Sequence, residues 1–256
     1  KSDIQNWLSS LKHDTGEPFS KNSIQHYRYA VSGLFNYALE RDYIQANPVK
    51  EIGKARRGQK NGGEYNCEIV SLSDTRRLLA AARDKVPEML APVALGLFAG
   101  LRTAEIRRLS WEHVDLARGI IKITADIAKK RSVRNVNISS NLQKWLMLES
   151  ERTGSVAPQK AASWRYHHDK LKKEAELDHW PHNVLRHSFG SYHLEATGDP
   201  AKTAFEMGHR DAGDLLFQHY RQLTSKEDAQ AFWKITPKTV KSIQSFTDHQ
   251  SQQQTA

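Results

Sequence analysis

Three short clusters bring together residue types that act on anions. In Ala99-Gly100-Leu101-Arg102-Thr103-Ala104-Glu105, Gly100 permits a turn and Arg102 lies three residues before Glu105. On a helix that is neighbour spacing, so the Glu105 carboxylate can orient the guanidinium. Leu185-Arg186-His187-Ser188 supplies a second arginine. Met207-Gly208-His209 is followed eleven residues later by Tyr220, in Gln218-His219-Tyr220-Arg221. Histidines crowd the same stretch, eight of the 12 lying between His167 and His219. A zinc site is disfavoured, because HExxH and Cys/His ligand spacings are absent and Cys67 is the single cysteine. No metal is therefore expected.

In this order, the clusters resemble the tyrosine recombinase (phage integrase) family. That family's pattern is G-L-R-x-x-E, a hairpin lysine, H-x-x-R-H, L-G-H and a C-terminal tyrosine. The resemblance implies a site-specific recombinase that cleaves and rejoins DNA through a covalent 3′-phosphotyrosyl intermediate. It implies Tyr220 as nucleophile, Arg102 and Arg186 as phosphate clamps, and His209 as a hydrogen-bond donor to the scissile phosphate. Glu105 then orients Arg102 and does not react. Counting back from Val136-Asn137-Ile138 as the second hairpin strand puts the lysine at Lys129, with Lys130 as its alternative. The expected partner is double-stranded DNA bound by a homotetramer, with a C-terminal helix exchanged between protomers and no membrane. The expected setting is the cytoplasm, at the nucleoid, of a bacterium or in a phage or mobile element.

The chemistry agrees with this resemblance. Attack on a phosphodiester builds negative charge on the non-bridging oxygens, which paired guanidinium donors can hold. Such preorganised donors contribute about 3 kcal/mol or more each. A phenol, with an ordinary pKa of about 10, needs a cationic site or a base to attack near neutrality. The leaving 5′ oxygen needs a proton, which a hairpin lysine can give. Because the ester stores the bond energy, no cofactor is expected.

The sequence departs from the pattern at one place. Three residues before Arg186 stands Asn183, and His182 lies one step earlier. On a helix both could face the same way as Arg186. Asn183 cannot act as a general base, and His182 could if it lay on the helix's first turn. The interval from His209 to Tyr220 is also slightly longer than the family's.

The elements that must position these residues read as mainly α (α+β), a small helical domain followed by a mostly helical one with a short β-hairpin. Residues 1–46 show helical periodicity, with Ile4, Trp7, Leu8 and Leu11 and then Ile24, Tyr27, Val31, Leu34, Phe35 and Ala38 on one face. Asn47-Pro48 closes this block. By resemblance, 1–49 is a core-binding (SAM-like) DNA-binding domain lacking its N-terminal part, since the chain starts at Lys1 and not Met. Residues 50–63, glycine-rich and basic, read as a linker, 64–240 as the catalytic domain, and 241–256 as a disordered tail. Ser71 or Ser73 caps a helix, Leu101 to Leu109 is helical, and Gly119–Thr124 and Arg134–Ile138 are strands. Ser225–Trp233 is a capped amphipathic helix, packed in cis or exchanged.

The 256 residues carry 38 Lys+Arg against 29 Asp+Glu, a +9 surplus that suits a polyanion. The longest apolar run, residues 89–100, is too short to span a bilayer, and the first helix does not read as a secretory leader. The surplus gathers in the linker, in the hairpin with Lys122, Lys129, Lys130, Arg131 and Arg134, and in the helix around Ser163–Lys173. Expected DNA contacts are Lys21, Asn22, Gln25 and Arg28 in the first block, Arg56 and Arg57 in the linker, and Arg165, His168 and Lys172. Two other functions fit less well: type IB topoisomerase-like relaxation, and a non-catalytic DNA-binding protein on a recombinase scaffold.

Overall fold

The computed structural model describes residues 2–50, 52, 67–128, 133–208 and 223–243, the side chains of Lys21 and Asn22 apart. The chain divides into two compact units, Lys1–Glu64 and Tyr65–Ala256.

In the first unit, helix α1 (Ser2–Ser10) packs against α2 (Lys21–Glu40). The unbroken helical block expected over 1–46 is corrected here. Gly16 turns the chain at φ 86°, Lys12 bridges to Pro18, and Ser20 caps α2 by accepting from the Ser23 amide. Proline and a left-handed glycine each break the helix that the apolar spacing alone would continue. Trp7 meets the Tyr27 ring edge-on at 6.3 Å, closing α1 onto α2. The buried Asn47 amide donates to the Ser32 carbonyl at 3.0 Å and to Asn36 Oδ1 at 2.8 Å. Arg28, expected at DNA, donates to the Val49 and Ile52 carbonyls within its own unit.

The second unit is built around a helix with no polar face. After α3 (Leu72–Asp84), capped by Ser71 through the Asp74 amide, comes α4 (Leu90–Ala99), every residue of which is buried. Helix α4 packs against α3 and against two later helices, α6 (Ser140–Leu146) and α8 (Val184–Thr197). Between α4 and α6 lie α5 (Thr103–Ile106) and an antiparallel sheet of β1 (Val114–Asp115), β2 (Ile120–Ile123) and β3 (Arg134–Asn137), in the order β1-β2-β3. Helix α5 is shorter than expected. Leu109 and Trp111 instead pair their backbones with residues 154–156, at 3.0 and 2.9 Å, and this competes with helix continuation. The two expected strands are present, each slightly trimmed, and β1 is an addition.

Helix α7 (Ala161–Glu174) follows α6, then α8, α9 (Pro200–Met207) and α10 (Lys226–Trp233). Helix α10 is capped by Ser225 and packs on α8 of the same chain. Phe232 is fully buried between the Tyr192 ring, stacked at 4.1 Å, and the Phe98 ring at 5.0 Å. The tail expected to be disordered from 241 is packed as far as Ile243, whose amide donates to Asp84 at 3.1 Å. Among the described residues, no helix is long and apolar enough to cross a membrane.

Truncation of Phe232 leaves a cavity between α4, α8 and α10. Phe232→Ala is expected to lose about 3–5 kcal/mol of unfolding free energy in urea titration. Phe205→Ser, on an exposed ring of α9, should change it by less than about 0.5 kcal/mol.

Candidate active site

The Gly100 corner places Arg102. Gly100 ends α4 at φ 61°, and a Cβ there would lie 2.4 Å from the Phe189 ring, so only glycine fits both the turn and the packing. The chain then leaves extended, and Arg102 becomes the N-cap residue of α5. The Arg102 amide donates to Glu105 Oε2 at 3.0 Å and its Nη1 to Oε1 at 2.9 Å. Nη2 of the same guanidinium donates to the Gly208 carbonyl at 3.3 Å.

Arg186 arrives from the first turn of α8, where it is buried. Its Nη1 donates to the Gly100 carbonyl and its Nη2 to the Met207 carbonyl, the latter at 2.6 Å. The two arginines thus meet consecutive carbonyls, Met207 and Gly208, at the C-terminal end of α9. Three clusters far apart in sequence converge on that corner. Lys129, Lys130, Arg56, Arg57, His209 and Tyr220 lie outside the described residues, as does the side chain of Lys21.

Glu105 is the buried anion of the site, with no exposed side-chain surface. Burial pushes its carboxyl upward. Hydrogen bonds from Arg134 and from the Arg102 amide, with the charge of both guanidiniums, outweigh that and hold it down at about 2.

Sequence reasoning gave Arg134 no role of its own, counting it only among the basic charges of the hairpin. Its side chain is 5% exposed. It grips Glu105 with both ends of its fork, Nη1 to Oε1 at 3.1 Å and Nη2 to Oε2 at 2.9 Å. Its Nε donates to the Glu206 carbonyl at 3.3 Å. The signal was present in the alternation Arg134-Asn135-Val136-Asn137, which puts Arg134 on the inward face with Val136. Glu206 was also missed; its buried carboxylate accepts from the Asn137 amide at 3.3 Å and from the Asn137 side chain.

The helical placement of His182 and Asn183 is corrected. Helix α8 begins at Val184, and both residues form the turn before it, with Asn183 at φ 58°. Asparagine enters this left-handed region at lower cost than most residues, which accounts for its presence at the cap. The geometry that would set both beside Arg186 on one helical face is therefore absent. They nevertheless line one cavity of about 370 Å³ with Arg186, Trp164, His168 and Trp180.

On α7, Arg165 is exposed, Lys172 is half-buried, and His168 stacks on Trp180 at 4.5 Å. Two further groups are accounted for structurally. His193 bonds Thr203 at 2.7 Å, and burial, with Lys202 nearby, pushes it down to about 4, so it stays neutral. The Tyr192 phenol donates to the Val70 carbonyl at 3.0 Å, and burial, with Asp228, pushes it up to about 12.

A mainly helical unit thus brings two arginines together at the end of one helix, around a buried glutamate. The chain belongs to the phage integrase family, whose model matches residues 69–227. It is 27% identical over 231 residues to a shufflon-specific DNA recombinase of Escherichia coli, covering 87% of this chain and 58% of that protein. It is 27% identical over 237 residues to the tyrosine recombinase XerC of Pseudomonas putida (strain W619), covering 83% of this chain and 75% of XerC. In fold it resembles the Tn1549 transposon integrase solved with transposon right end DNA, with TM-score 0.63, 17% identity, and coverage of 90% and 83% of the two chains. A lambda integrase dimer bound to a core site gives TM-score 0.62 at 14% identity, covering 87% and 65%.

Because the Glu105 carboxyl is held below its ordinary value, its contribution to stability is complete above about pH 4.5 and is lost as the pH falls toward 2. In thermal melts over that window, Glu105→Gln should show a shallower loss of Tm than wild type. An unchanged slope would reject the assignment.

Proposed function

We propose that this chain is a site-specific DNA recombinase that cuts and rejoins strands through Tyr220. The observation that supports this most is the convergence of Arg102 and Arg186 on the Met207–Gly208 carbonyls, immediately before His209. There the two guanidiniums clamp the non-bridging oxygens of the scissile phosphate, and His209 adds a hydrogen bond. The Tyr220 phenolate oxygen attacks phosphorus, the bond to the 5′ oxygen breaks, and Lys129 (or its neighbour Lys130) gives that oxygen a proton. The product is a 3′-phosphotyrosyl ester and a free 5′-hydroxyl end. Attack by a partner strand's 5′-hydroxyl reverses the steps and restores a phosphodiester without any external energy source.

DNA is held by positioning contacts to its backbone from Arg56 and Arg57, and from Arg165, His168 and Lys172 on α7. Lys21 adds a contact from the first unit. Four copies on DNA form the recombining assembly, working in the cytoplasm on nucleoid or mobile-element DNA. In that assembly α10 passes to a neighbouring protomer, so the cis seat of Phe232 belongs to the unassembled chain.

The test begins by selecting a bound site from a random duplex pool and placing a nick in it to trap cleavage. Wild type should form a covalent protein–DNA adduct that survives denaturing electrophoresis, and Tyr220→Phe should form none. Arg102→Ala and Arg186→Ala should slow adduct formation at least about 100-fold. An adduct from Tyr220→Phe would remove Tyr220 from its role. Wild-type binding with no adduct would leave a DNA-binding protein without catalysis.

A further inference from the structure

Among the described residues of the second unit, Arg134 is the one strongly basic group placed by strand register on a buried face. It pairs with Ile123 across the sheet and shares its side of β3 with the buried Val136. Burying an arginine is costly unless every donor is used. Here the fork closes on both oxygens of Glu105 and Nε closes on the Glu206 carbonyl. The Gly208 backbone lies so close that a Cβ there would sit 2.9 Å from the Arg134 guanidinium. One side chain thus touches the glutamate that orients Arg102 and the residue whose carbonyl receives Arg102.

The charge count gives this contact its meaning. Glu105 carries one negative charge and faces two guanidiniums, Arg102 and Arg134. Arg134 bonds both carboxylate oxygens and the Arg102 amide takes a second place on Oε2, so the Arg102 guanidinium reaches Glu105 through Oε1 alone. The Arg102 guanidinium keeps one hydrogen bond, to Oε1, so a single carboxylate charge is shared between two guanidiniums and one positive charge is left over. Without Arg134, Arg102 and Glu105 would form a neutral pair, and the clamp would be spent on the protein's own carboxylate.

We infer that Arg134 is a positioning residue for strand cleavage, neutralising Glu105 so that the charge and orientation of Arg102 are reserved for the scissile phosphate. This rests on the recombinase reading above. Arg134 has no contact with the phosphate in this scheme and acts only through Glu105 and Gly208.

The experiment measures adduct formation under single-turnover conditions on nicked DNA, with either an ordinary scissile phosphate or a methylphosphonate, which carries no charge for Arg102 to balance. Arg134→Ala should bind DNA within threefold of wild type yet form adduct at least 100-fold more slowly on the ordinary phosphate. On the methylphosphonate its deficit relative to wild type should shrink below tenfold. The Arg102→Ala/Arg134→Ala double variant should be no slower than Arg102→Ala alone, since one effect passes through the other. A deficit that persists on the methylphosphonate and multiplies in the double variant is general weakening and overturns the inference. So does an Arg134→Ala protein that reacts like wild type. If circular dichroism shows that Arg134→Ala fails to fold, Arg134→Lys makes the same comparison. It keeps the charge but loses the fork, and should be about tenfold slower on phosphate and near wild type on methylphosphonate. A Lys variant as slow on methylphosphonate as on phosphate overturns the inference. Wild type with no adduct fails the recombinase reading instead, and the two failures are separated by that arm.

Discussion

A single buried carboxylate shared by two guanidiniums is the constraint around which the second unit is arranged. Glu105 has no exposed surface, so its charge is tolerable only while Arg102 and Arg134 face it. That requirement ties α5 to β3, residues distant in sequence and differing in secondary structure. Each of the three nitrogens of Arg134 has an acceptor, and Arg102 is held through its amide and guanidinium by Glu105 and the Gly208 carbonyl.

The scaffold beneath depends on close approaches that only glycine allows. Gly96 lets Leu185 of α8 lie against α4, Gly100 lets Phe189 do so one turn further on, and Gly208 admits the Arg134 guanidinium. The first two bring Arg186 to the Gly100 carbonyl, and the third brings Arg134 to the end of α9. Packing and site geometry are therefore one problem, because the contacts that bury α4 also set where the arginines emerge.

What the sequence makes legible is local. The Arg102–Glu105 contact follows from a three-residue spacing, and the caps at Ser71 and Ser225 follow from serine ahead of an acidic turn. The two long strands of the sheet follow from alternation. Less legible is whatever depends on long-range pairing. Arg134 lies 29 residues from Glu105, and an arginine in a lysine-rich hairpin reads as solvated until the register shows which face it occupies. His182 and Asn183 read as helical because they precede a helical pattern, whereas a left-handed asparagine starts α8 one residue later. Arg28 reads as a surface charge because its acceptors are backbone carbonyls, which leave no trace in composition. Helix α5 ends early because backbone partners near residue 155 compete for it.

The apolar character of α4 bears on how the chain comes into being on the ribosome. Its coverings are late: Leu185 follows Gly96 by 89 residues, and Phe232 follows Phe98 by 134. At about 5–20 residues per second, the helix emerges roughly 7–27 s before the Phe232 ring that closes over it. During that interval α3 can shield one side, while the faces meant for α8 and α10 stay open to water. The nascent chain is thus adhesive from the emergence of α4 to that of α10, and in that interval holding chaperones have a surface to act on.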